Sequence, residues 1–303
     1  LRGALAGADY LLSLKESTLW ITDEVDATPV IIPEHHPHID SLYRAMEQLS
    51  EQGKPFIADS ILDPIHFGFT DSIIRYSDMR QKYPACDIMM GIGNLTELTE
   101  ADTSGINAIL FGIISELDIN NVLATQVSPH ACSAIREADR ARRMFYAAKQ
   151  ENRLPKGIDD ALLTTHARKP FPYSAGEIEE LAGQIKDPSY RIQLSEEGIH
   201  VYNRDGISTA NDPYDLFPAL ITLENDAPHA FYMGVELARA QIAFQLGKRY
   251  MQDEELKWGA AIPEFSNPSK ASVQAAHDLK NNEQHRSPGA TLKASRKKGR
   301  KFT

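Results

Sequence analysis

This sequence predicts an α/β fold built on a parallel sheet, and three observations carry the prediction. Five short apolar runs recur in the first half of the chain, and most are separated by amphipathic helical stretches. The rhythm stops at "QENRLPKGIDDALLTTHARKPFPYSAG", where Pro and Gly accumulate. Beyond that break, "SYRIQLSEEGIHVYNRDG" alternates apolar and polar residues around Glu196-Glu197-Gly198, a hairpin pattern.

The elements follow in order. "LRGALAGADYLLSL" reads as the end of a helix running into a first strand, and with no initiating Met it reads as a piece of a longer protein. "TPVIIP" is a second strand, joined to the first by a loop. "PHIDSLYRAMEQLSEQG" is a helix closed by Gly53 and Lys54-Pro55. "PFIADSIL" and the helix "TDSIIRYSDMRQKYP" come next, then the strand "DIMMGIG". Thr99 is positioned to cap the following helix, with Glu100 and Asp102 in its first turn and Ile106, Leu110, Ile113 and Leu117 at helical spacing. "NNVLATQ" and the helix "SAIREADRARRMFYAAKQ" complete the series, and "PHAFYMGVELARAQIAFQLGKRYM" adds a long amphipathic helix after the hairpin. Five parallel strands in this order fit one part of a barrel or an open doubly wound sheet.

Composition narrows the functional classes. At 42% hydrophobic and 24% charged residues, the chain has the balance of a globular protein. No stretch approaches the roughly 18 apolar residues of a membrane span. Cys86 and Cys132 are the only cysteines, so neither a disulfide framework nor a thiolate metal site is expected, and a reducing cytoplasm fits. Net charge is −10, but residues 264–303 hold nine Lys and Arg against three acidic residues, which leaves −16 on the remainder. An acidic body of that kind is not a specific nucleic-acid binder.

The candidate site residues stand at strand ends. Asp59 and Asp63 close "PFIADSILD", Asn94 ends "MMGIGN", and Gln126 ends "NVLATQ". Parallel α/β barrels bind ligands at the carboxyl ends of their strands. A carboxylate accepts hydrogen bonds and a carboxamide both donates and accepts, so this set suits a flat heterocycle with amide-like edges. Gly91 and Gly93 allow the backbone to approach a ligand closely or to adopt a positive φ. Asp, Asn and Gly are also ordinary turn residues, and that alternative stays open. His35, His36 and His38 lack a carboxylate at metal-ligand spacing and read as a solvated loop, so no metal site is expected. His66 either lines the pocket or packs in its loop. Arg136, Arg140 and Arg143, with Glu137 and Asp139, read as a solvated, salt-bridged helix face. His229, Tyr232 and Glu236 share a face of the last helix.

"PFIADSILDPIHFGF", "DIMMGIGNLTELTEADTSGINAIL" and "NNVLATQ" together resemble the later strands of the pterin-binding family. That family includes dihydropteroate synthases and methyltetrahydrofolate-dependent corrinoid methyltransferases, both (β/α)8 barrels. The most similar branch is the dihydropteroate synthase-related proteins linked to methanopterin-type pterins, which carry an extra C-terminal domain. The resemblance implies the C-terminal part of a TIM-like barrel over residues 1–152, entered near the fourth strand. A linker over 153–171, a small α+β domain over 172–262 and a disordered, low-complexity basic tail over 263–303 follow. It implies a reduced pterin as substrate or ligand, bound by Asp59 with Asp63 as second choice, and positioned by Asn94. The chemistry implied is a transferase's: C–N bond formation at a pterin methylene, in folate or tetrahydromethanopterin-type biosynthesis or one-carbon metabolism. A methyl-pterin-dependent methyltransferase and a non-catalytic pterin-binding scaffold are the alternatives; a homodimer is compatible with each. The departures are specific. The synthases' Ser-Arg-Lys-Ser corresponds here to Gly93-Asn94-Leu95-Thr96, and their Arg-x-His to Ala124-Thr125-Gln126. No catalytic residue is assigned.

Overall fold

A computed structural model describes residues 2–263. The basic tail over 264–303 lies outside the described residues, and the chain divides into two compact units. Among the described residues, the first comprises 2–172 with 245–249 and 257–262; the second comprises 173–244 with 250–256 and 263.

The first unit is mixed α/β with parallel strands in small sheets. Helix α1 (Arg2–Leu5) precedes β1 (Tyr10–Leu14), and a 3-10 segment, Glu16–Asp23, leads to β2 (Thr28–Ile31). Then come α2 (Asp40–Glu51), β3 (Ile57–Ala58), α3 (Phe69–Lys82) and β4 (Met89–Gly91). A single turn, α4 (Gly93–Thr96), precedes α5 (Thr103–Glu116), β5 (Asn121–Leu123) and α6 (Ala134–Gln150). β1, β2 and β3 pair in parallel, as do β4 and β5. One parallel bridge, Ala58 to Ile88, joins the two sets, with Ala58 N–H donating to Asp87 O at 2.8 Å. The five runs therefore lie side by side in chain order. Between β1 and β2 the register slips after Leu11, where Ser13 takes a φ of 63°, and this bulge bends the first strand.

Burial follows from the sequence periods. Ile31, Ala58, Ile88 and Met90 of the strands are fully enclosed, and α2 lays Leu42, Ala45, Met46 and Leu49 over them at helical spacing. Tyr76 and Met79 of α3 and Leu110, Phe111 and Ile114 of α5 complete this core.

Two expectations need correction here. The helix after "GIGN" begins at Thr103, not after Thr99; Asp102 occupies its N-cap position, and Thr103 Oγ1 turns inward to donate to Glu137 Oε2. The α6 face is not simply solvated. Glu137 is buried, accepting from Ser133 Oγ at 2.8 Å and Asn107 Nδ2 at 3.3 Å as well as from Thr103. The Arg136 guanidinium donates to the carbonyls of Ala260 and Ala261 at 3.1 Å, which are acceptors remote in sequence. The Asp139 pairs with Arg142 and Arg143 do match a solvated face.

The second unit begins with α7 (Ala175–Gly183), whose Ser174 and Glu177 form a reciprocal capping box. β6 (Arg191–Ser195), β7 (Gly198–Asn203) and β8 (Gly206–Ala210) form an antiparallel meander, with the expected hairpin turning at Glu196-Glu197 between Ser195 and Gly198. Gly198 has φ 143°, and a Cβ there would meet Ala210 O at 2.9 Å, so the turn requires glycine. In α8 (Ala227–Leu246), Glu236 is buried against Arg239, Tyr250 and the Asp253 N–H, while Tyr232 donates to Asp253 at 2.7 Å. No helix among the described residues is long and apolar enough to cross a membrane.

Candidate functional site

A cleft of about 330 Å³ opens at the carboxyl ends of β3, β4 and β5. Asp59, Ile61 and Leu62 line it from the loop after β3; Gly91, Gly93, Asn94, Glu97 and Leu98 from β4 and α4; and Leu123 and Thr125 from β5 and its loop. Four of the six residues singled out from the sequence, Asp59, Gly91, Gly93 and Asn94, therefore come together.

Asp59 is the focus. It is 9% exposed. Its Oδ1 accepts from Tyr76 Oη at 2.6 Å and from the Ile61 N–H at 2.8 Å. Oδ2 makes no hydrogen bond among the described residues. Burial raises the carboxyl pKa, against the lowering effect of the Tyr76 and Ile61 bonds and of nearby His36. The same burial, reinforced by the Asp59 charge, pushes the Tyr76 phenol well above its ordinary value, so Tyr76 stays a donor. Ile61 has φ 68°, costly for a β-branched residue, and its N–H is held to Asp59.

Asn94 Nδ2 donates to Leu62 O at 2.7 Å. A carbonyl only accepts, so this fixes the amide orientation and leaves Oδ1 and the second Nδ2–H for a ligand. Gly91 and Gly93 are not in the positive-φ region. A Cβ on Gly93 would lie 2.7 Å from Thr125 Oγ1, while one on Gly91 would meet nothing within 4 Å. Gly93 thus admits the Thr125 side chain, whose hydroxyl is enclosed without a hydrogen-bond partner among the described residues, and Gly91 leaves the cleft floor open. Glu97 accepts the Ser128 and Val127 N–H groups at 2.7 and 2.9 Å, which drops its carboxyl pKa to about 2 and ties α4 to the loop after β5.

The other two residues sit elsewhere. Gln126 is exposed and does not line the cleft; Thr125 takes the inward place. Asp63 is buried with both oxygens engaged, Oδ1 with His36 Nε2 at 2.6 Å and Oδ2 with Arg75 Nη2 at 2.7 Å. Arg75 Nη2 also donates to Ile61 O at 3.0 Å. His36 therefore has the carboxylate partner that local spacing did not reveal. Gly68 has φ 115°, and a Cβ there would lie 3.0 Å from Asp63 Oδ2, so the loop requires glycine beside this carboxylate. His66 has φ 69° and does not line the cleft. No group of three His, Cys, Asp or Glu among the described residues is arranged for a metal ion.

Sequence reasoning missed Tyr76, Glu97 and the Arg75–Asp63–His36 chain. Tyr76 carried a signal: a tyrosine on the inward face of α3 needs an acceptor, and the nearest candidates were the aspartates just upstream.

No protein-family profile matches the chain. It is 30% identical over 290 residues to the uncharacterized protein MJ0107 of Methanocaldococcus jannaschii, covering 82% of this chain and 54% of that protein. The chain thus spans about half the length of this relative.

Proposed function

We propose that the cleft binds the ring of a reduced pterin and that the chain contributes the later strands of a (β/α) barrel related to dihydropteroate synthase. The observation that carries this reading is Asp59: a buried carboxylate with one oxygen fixed by Tyr76 and Ile61 and the other left for a ligand. The pyrimidine edge of a pterin presents adjacent N–H donors, and a carboxylate aimed at that edge accepts charge-assisted hydrogen bonds. The free Asn94 Oδ1 supplies a further acceptor, and Leu62, Leu98 and Leu123 supply apolar surface for the ring faces. The five in-order parallel strands and the resemblance of their terminal motifs support the barrel.

The chemistry proposed is transfer of the pterin methylene to an amine nitrogen. Asn94 Nδ2 spends one N–H on Leu62 O and keeps a second, so methyl transfer from a methylated pterin stands beside this reading as an alternative. A second reading, pterin binding without catalysis, is favoured by one observation: the cleft is lined by Asp59 and Glu97 and by no Lys or Arg to hold a diphosphate.

Calorimetric titration with 7,8-dihydropterin tests the binding. Asp59→Asn should weaken it by about 2–4 kcal/mol, because a donor then faces the ring's own N–H groups. Unchanged affinity in that variant overturns the assignment.

A further inference from the structure

The Arg75–Asp63–His36 chain is built like a positioned base. Asp63 Oδ1 meets His36 Nε2 at 2.6 Å, and Arg75 holds Oδ2 at 2.7 Å. Arg75 and Asp63 side chains are 13% and 9% exposed, whereas His36 is 30% exposed at the outer end. A carboxylate paired with a guanidinium can only accept, so the neutral imidazole keeps its proton on Nε2 and presents the Nδ1 lone pair outward. Nδ1 makes no hydrogen bond among the described residues. The chain is also coupled to the cleft through one residue: Ile61 accepts from Arg75 through its carbonyl and donates to Asp59 through its N–H, while lining the cleft itself. His36 does not itself line the cleft, but its charge acts on the Asp59 carboxyl, which sets the imidazole within electrostatic reach of it.

We propose that His36 is the proton-accepting base for an amine nucleophile brought to a ring seated on Asp59, with Asp63 and Arg75 as positioning residues. This rests on the pterin reading and goes beyond it. In the step, the amine lone pair forms the new N–C bond. The bond from the methylene carbon to the diphosphate oxygen breaks, and its electron pair leaves on that oxygen. One N–H proton passes to His36 Nδ1 and its bond pair stays on nitrogen. The imidazolium so formed is stabilised by Asp63.

Two measurements on the full chain test this. In nitrogen-15 histidine spectra, the resonance assigned by its loss in His36→Gln should show neutral His36 protonated on Nε2, a preference that Asp63→Asn abolishes. A neutral form protonated on Nδ1 overturns the proposal whatever ligand binds. The second combines calorimetry with 7,8-dihydropterin and product formation from 6-hydroxymethyl-7,8-dihydropterin diphosphate and 4-aminobenzoate. His36→Gln should keep pterin affinity within about twofold and lower turnover by roughly 100-fold, and added imidazole should partly restore His36→Ala. Undiminished turnover in His36→Gln, or pterin binding with no product in the wild type, rejects the base while leaving the cleft assignment intact. Absence of pterin binding rejects the cleft assignment and the base together.

Discussion

Two buried carboxylates of the first unit make the instructive comparison. Glu137, between α5 and α6, is 3% exposed and takes donors on both oxygens, from Thr103, Asn107 and Ser133. Asp59, at the end of β3, is 9% exposed and takes both of its donors on one oxygen. Desolvating a carboxylate is costly, and local hydrogen bonds offset the cost. At Glu137 that compensation is complete and the side chain joins two helices. At Asp59 it is half complete, with one oxygen making no hydrogen bond among the described residues, and the residue lines a cleft. On the proposed reading, the saturated carboxylate is structural and the fixed but unsaturated one is the binding group.

Exchange of the two side chains should separate these roles. Asp59→Asn should lose about 2–4 kcal/mol of dihydropterin affinity while costing less than about 1 kcal/mol of stability, because Tyr76 and Ile61 keep their acceptor. Glu137→Ala should do the opposite, losing roughly 3 kcal/mol in urea denaturation by stranding three buried donors, with affinity preserved. Comparable affinity losses in both variants would erase the distinction. Tyr76→Phe is a smaller perturbation, about 1 kcal/mol of stability. It removes a bond that lowers the Asp59 pKa, so the pH midpoint for dihydropterin binding should move upward.

The acidic limb of the stability curve sharpens the contrast within the cleft. Asp59 has a raised folded pKa, so its contribution is greatest below its ordinary value and is lost as pH rises through the raised one. Glu97 has its pKa dropped to about 2 from 4.5, so its contribution is present above pH 4.5 and is lost as pH falls toward about 2. Urea midpoints across this range should change slope in opposite directions in Asp59→Asn and Glu97→Gln. Gly93→Ala sets a Cβ 2.7 Å from the enclosed Thr125 hydroxyl, so one of the two must shift, and the overpacking should cost about 1–3 kcal/mol in urea denaturation.

Much of the frame was legible because it rests on local periodicity. The five apolar runs are parallel strands in chain order, and the Glu196-Glu197 turn closes the hairpin. The strand-end rule brought Asp59, Gly91, Gly93 and Asn94 to one cleft. What escaped depends on distant partners or on the facing of a single residue. Asp63 looked equivalent to Asp59, but it is committed to His36, 27 residues away, and to Arg75, 12 residues away. Gln126 looked like a strand end, but β5 stops at Leu123 and Thr125 takes the inward position. The glycines suggested positive φ, yet Gly93 serves by leaving room for Thr125, a contact across two strands that no local pattern encodes.

A crystal structure of the chain with 7,8-dihydropterin tests the role of Asp59 directly. Ring nitrogens should lie about 2.7–2.9 Å from Asp59 Oδ2, with Oδ1 still held by Tyr76 and Ile61 and the ring between Leu62 and Leu123. A pterin seated away from β3, or one that leaves Asp59 Oδ2 facing water, would contradict that role.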